Sequence, residues 1–130
     1  MTYHGRANII GQGSVAALGT TETDVLVVTD QALLVDAQLN AFILFARGTH
    51  TSIQIRYYAC HSVNGDWYEL PYRNEGTGVI VSVPTVLDAT TPARIVDSLP
   101  LPACLAFRVT AQGVGGAGGS ATVTLMSRDN

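Results

Sequence analysis

Residues 51–72 read TSIQIRYYACHSVNGDWYELPY, and the fold turns on this stretch. Ile53, Ile55 and Tyr57 alternate with Gln54, Arg56 and Tyr58. That period of two is the mark of a strand with one face buried. Asn64 and Gly65 follow, two residues that tolerate the positive φ of a tight hairpin turn. Trp67, Tyr68 and Leu70 begin a returning strand, and Pro71 ends it or marks an edge, because proline donates no ladder hydrogen bond. A lone hairpin is only marginally stable in water, so further strands must cover its apolar side.

The rest of the chain supplies them. Residues 14–18 read as a short first strand, and residues 23–29 (TDVLVVT) as a firm one rich in β-branched side chains. Residues 32–47 alternate well enough to predict a long strand, bent or bulged near Asn40. Residues 79–83, 94–96, 103–112 and 121–127 complete the set. Prolines 92, 100 and 102 limit the segment around them to short or edge strands. The expectation is therefore eight or nine strands, no helix, and an all-β antiparallel sandwich. A jelly roll fits this content best, with an immunoglobulin-like sandwich as the alternative. Residues 14–130 are read as one domain. Residues 1–13 are read as an extended N-terminal arm, either a frayed end or a segment that docks on a neighbour through Tyr3, Ile9 and Ile10.

Composition narrows the function. Of 130 residues, 47% are apolar and 13% charged, about half the usual charged share of roughly 25%. Such a balance excludes intrinsic disorder. It suits a surface partly covered by other proteins, since interface cores are poor in charge. The net charge is −3, and all seven basic residues are arginines scattered along the chain. No basic cluster stands ready to neutralise phosphates, so no nucleic-acid partner is expected. No signal-peptide pattern and no apolar run of spanning length is present, so no membrane partner is expected and synthesis in the cytosol is.

No catalytic, cofactor or metal motif emerges. The glycine-rich residues 113–119 have no following Lys-Ser/Thr and open no helix, so they read as a flexible hairpin loop rather than a phosphate cradle. His4, His50 and His61 lack metal-binding spacing. Cys60 and His61 are neighbours on one strand and point to opposite faces, which separates them as a catalytic pair. Asp66 and Glu69 have the residue types of a glycosidase pair, but Asp66 is also a natural turn residue. Cys60 and Cys104 read as buried thiols, or as a disulfide if the protein ends outside the cell. Trp67, Tyr68 and Tyr72, with Tyr57 and Tyr58, form an aromatic group. It either packs the core or offers a surface for a sugar or a protein.

The order of these features resembles a known class. A long strand, the strand–NGDW–strand hairpin, a proline-rich segment ending in SLPLP, and the closing AFRVTAQG and ATVTLMSRDN strands resemble small all-β virion structural proteins of tailed bacteriophages. The likeness is greatest to head decoration (auxiliary capsid) proteins, and it spans most of residues 23–130. It implies a virion location, a homo-oligomer with a trimer favoured, and the major capsid protein or other virion proteins as partner. The arm residues Tyr3, Arg6, Ile9 and Ile10 become the implied contacts. No enzymatic activity and no cofactor are implied. The competing readings are a carbohydrate- or receptor-binding module and a neck, tail or fibre component.

Overall fold

The computed structural model describes residues 6–30, 34, 38–61, 65–81, 84–100 and 104–129. Eleven strands make it up: β1 (Arg6–Leu18), β2 (Thr23–Val28), β3 (Gln38–Ala46), β4 (Ser52–Cys60), β5 (Trp67–Glu69), β6 (Tyr72–Asn74), β7 (Ile80–Val81), β8 (Thr85–Leu87), β9 (Arg94–Pro100), β10 (Ala106–Val114) and β11 (Gly119–Asp129). Every pairing is antiparallel. The fold is an all-β sandwich of two sheets.

One sheet runs β1-β11-β3-β9-β6-β7 and the other β2-β10-β4-β5, with β8 also on β4. Consecutive strands lie in opposite sheets throughout, except for the pairs β4–β5 and β6–β7. The inner order 1-11-3-9 facing 2-10-4-5 is the wrap of a jelly roll, in which eight principal strands are laid down as nested antiparallel pairs. β7 falls within the strand expected over 79–83, and the count exceeds the eight or nine expected because β6 and β8 are only three residues long. Too few residues alternate in them to be seen as strands. The β6–β7 hairpin depends instead on Asn74, whose side-chain oxygen accepts from the Gly76 and Thr77 N–H groups at 2.8 and 3.2 Å. Residues 32–33 and 35–37 of the long strand expected over 32–47 lie outside the described residues, as does Asn64 of the turn.

Alternation decides which side chains fill the core. Ile53, Ile55, Tyr57 and Ala59 of β4 are buried, as are Leu39, Ala41, Ile43 and Phe45 of β3. Phe107, Val109 and Ala111 of β10 and Ala121, Val123 and Leu125 of β11 complete the interior. Each large side chain fully buried here stabilises by about 1.5–3 kcal/mol.

Where β1 crosses into the second sheet, the backbones nearly touch. A Cβ at Gly13 would lie 2.0 Å from the Val25 carbonyl oxygen, so only glycine fits. Residues 6–13, read as an arm, form the first part of β1 and pair with β11 from Arg6↔Asp129 to Gly13↔Val123.

At one end of the sandwich three connections lock together around His50. The ring is buried. Its Nε2 lies 2.7 Å from the Leu18 carbonyl oxygen, and its Nδ1 faces that of Gly115. It occupies the space a Cβ at Gly113 would need, 2.2 Å away. Ala117 accepts from the Thr49 N–H at 3.0 Å and donates its own N–H to Thr49 Oγ1 at 2.8 Å. The glycine-rich loop expected to be flexible is therefore bonded to the β3–β4 turn.

Candidate interaction surfaces

The outer face of the six-stranded sheet is the less polar of the two. Phe42 and Leu44 of β3 project from it, 41% and 46% exposed. Phe42 lies between Thr124 of β11 and Val96 of β9. One strand further out Ile9, 66% exposed, stands opposite Met126. Between these apolar groups the register places Gln12, Ser14, Asn40, Thr122 and Thr124, polar but uncharged. Arg94, opposite Leu44, marks one rim. Arg73 and Glu75 mark another, beside a shallow groove that runs past Gln38, Asn40 and Phe42 to Met126. Exposed apolar area rimmed by polar residues is what a protein-binding surface presents.

The outer face of the five-stranded sheet is organised differently. Arg56 donates to Gln112 and Gln54 at 2.9 and 3.0 Å and pairs with Glu69 at 3.3 Å. Glu22 accepts from the hydroxyls of Tyr58 and Thr110, each at 2.7 Å. Partial burial pushes the Glu22 carboxyl up, but those two hydroxyls and the guanidinium groups of Arg56 and Arg108 outweigh it and hold the carboxyl below its usual range. Partial burial, with the same contact, pushes the Tyr58 phenol up to about 12. Arg108 lies 4.7 Å from the ring centres of both Tyr58 and Trp67 and 3.8 Å from Asp24. A guanidinium held between two aromatic faces gains about 0.5–2 kcal/mol from their quadrupoles. Most of these charged groups pair with one another, although Arg108 Nε is buried without a hydrogen-bond partner among the described residues.

The residues singled out from sequence separate accordingly. Trp67 is half-buried beneath Arg108, and Tyr68 is 54% exposed with its ring 4.8 Å from that of His61. Tyr72, read as a surface aromatic, belongs to the core. It is buried with its ring 5.9 Å from Tyr57 of the other sheet, because its position in β6 turns it toward the interior. Glu69 is engaged by Arg56 rather than set for hydrolysis. Cys60 ends β4, while Cys104 precedes β10 instead of lying in it, and both are thiols. Burial, together with the nearby Cys60, pushes the Cys104 thiol up. Ile10 is buried and Ile9 exposed. Tyr3 lies outside the described residues. Arg6 is the first residue of β1.

Phe42 and Leu44 had not been singled out, though the sequence carried a signal. AFILFA is apolar at consecutive positions, whereas an antiparallel strand with one wet face should alternate. Among the described residues no group of three His, Cys, Asp or Glu side chains is placed to hold a metal ion. Nor is any helix among them long and apolar enough to cross a membrane.

No protein-family model matches this chain, and no curated protein matches it in sequence. Similarity is found among solved structures. The crystal structure of SPBc2 prophage-derived protein YomS aligns with a TM-score of 0.51 over 99% of this chain and 100% of that one. Sequence identity is 17%, so the likeness is one of fold.

Proposed function

We propose that this chain is a non-enzymatic structural protein of a bacteriophage virion, a decoration protein that binds and reinforces an assembled head as a symmetric homo-oligomer. The observation that carries this reading is the apolar, charge-poor outer face of the six-stranded sheet, with Ile9, Phe42, Leu44, Val96 and Met126 on it and Arg73, Glu75 and Arg94 at its rim. The prophage origin of a protein with the same fold and the same extent supports the phage setting. Shell binding would rest on apolar burial at this face. Repetition of modest contacts over the copies of an oligomer multiplies their effect through effective concentration.

The test is co-sedimentation with shells of the parent particle, alongside solution mass by light scattering. Wild-type protein should pellet with the shell. Phe42→Arg, at a side chain that is already partly exposed, should leave thermal unfolding unchanged and weaken shell binding at least tenfold, about 1.4 kcal/mol. Failure of the wild type to bind any assembled head would overturn the reading. Binding confined to neck or tail complexes would move the same face to another position in the virion.

A further inference from the structure

His50 is 1% exposed, and both nitrogens of its ring face backbone carbonyl oxygens. Nε2 lies 2.7 Å from that of Leu18, at the end of β1. Nδ1 faces that of Gly115, in the β10–β11 loop. The ring packs directly on the backbones of Gly113 and Gly119, where no side chain would fit, and is held between the two carbonyls. A carbonyl oxygen only accepts. A neutral imidazole has one N–H to donate and an acceptor at its other nitrogen, whereas the imidazolium donates from both. The neutral ring would set a lone pair against one carbonyl oxygen and leave that oxygen unserved in a place closed to water.

We propose that His50 is a proton-operated latch, which ties the end of β1 to the β10–β11 loop when both ring nitrogens are protonated and frees one of the two carbonyls when a proton is lost. Burial opposes a charge here. Two charge-assisted hydrogen bonds offset that cost, each about twice as strong as a neutral one. The charged groups on the elements that meet at the ring are engaged elsewhere. Arg47, on the same turn, donates to the backbone carbonyls of His50 and Thr51 at 3.0 and 3.5 Å. Glu22, in the β1–β2 connection, accepts from Tyr58 and Thr110. Asp24 of β2 faces Arg108 of β10, and Arg56 of β4 is held by Gln54, Gln112 and Glu69. Arg6 of β1 and Arg128 and Asp129 of β11 stand at the far ends of their strands. Residues 113–119 carry no titratable side chain. Beside the ring, the Thr49 and Gly118 N–H groups donate to Ala117 and Leu18 at 3.0 and 3.2 Å, so these two amides report whether the latch is closed. The doubly protonated ring fits the closed form. The latch is therefore whole at low pH and is lost as pH rises and the folded ring releases a proton.

The experiment reads two signals from the whole chain. Nitrogen NMR of wild type carrying isotope-labelled histidine should show protons on both His50 ring nitrogens at about pH 5 and on one of them at about pH 8. Amide hydrogen exchange, corrected for its intrinsic pH dependence, should show protection at Thr49 and Gly118 falling at least about tenfold over the same range. His50→Gln keeps a side-chain donor and does not titrate, so its protection should stay level. Every other titrating group is shared by the two chains, so the difference between them belongs to the ring. A folded wild type whose His50 ring is neutral at about pH 5 would overturn the proposal, whether or not the variant folds. So would a ring that loses its proton with no change in protection, or a fall in protection that is equal in His50→Gln.

Discussion

Asp97 is the residue with most at stake in the core. It is fully buried on β9, and its Oδ2 accepts from the hydroxyls of Tyr57 and Thr85, each at 2.6 Å. Its Oδ1 is buried without a hydrogen-bond partner among the described residues. Burial pushes the carboxyl up, and the charge of Glu75 adds to this. The two hydroxyls pull the other way without cancelling it. The sign of the linkage follows. The folded chain holds the proton more tightly than the unfolded chain, so this group's contribution is greatest below the ordinary carboxylate range and is lost as pH rises through that range to the raised folded value. Asp97→Asn removes the titration. In thermal unfolding across about pH 3 to 7, the wild type should lose stability relative to Asp97→Asn as pH rises. A difference independent of pH would contradict this. Asp97→Ala should cost about 1–3 kcal/mol at low pH, because it strands two buried hydroxyls, and less as pH rises.

At the scale of the element, the crossing from β1 into β2 sets the geometry of one edge of the sandwich. β1 lies on the second sheet with no room for a side chain at Gly13, and the obstacle is the Val25 backbone, which has no rotamer to change. Gly13→Ala should therefore push β1 off β2 and destabilise by about 1–3 kcal/mol, as overpacking does. Gly19, in the next turn, has open space where a Cβ would go. Gly19→Ala is the control and should unfold at the wild-type temperature. Equal melting of both variants would show that the close approach is absent in solution. The His50 knot works in a similar way at the end of the sandwich. Glycines at 113 and 119 make room for a ring that serves two backbone carbonyls from different connections.

At the scale of the whole molecule, the two outer faces divide the work. One carries charges that pair among themselves; the other carries apolar groups among mostly uncharged neighbours, with Arg73, Glu75 and Arg94 at its rim. A protein that binds an assembled shell but not its free subunits stabilises the shell by mass action, by about 2.7 kcal/mol per site at a hundredfold excess over Kd. Thermal disassembly of shells should therefore shift upward as this protein is added, and level off when sites are filled. Shells that melt at the same temperature at every concentration would rule out a reinforcing role.

Read alone, the sequence determined the class of the fold and the inward face of its main strands. Ile53, Ile55 and Tyr57 point inward as their alternation requires, because the side-chain period of a strand is a local property of the backbone. It also determined that charge is scarce and that the glycine-rich residues 113–119 hold no phosphate motif. Only the tertiary structure decided the rest. Tyr72 is buried because pairing of β6 beside β9 turns it toward the interior, and β6 is too short to show a period. Phe42 and Leu44 are exposed because no element covers the six-stranded sheet beyond them. Asp97, Tyr57 and Thr85 meet from three strands, and Arg108 finds Trp67 across β4. These contacts join residues 12 to 41 positions apart in the chain, and local periodicity carries no information about which distant strands will pair.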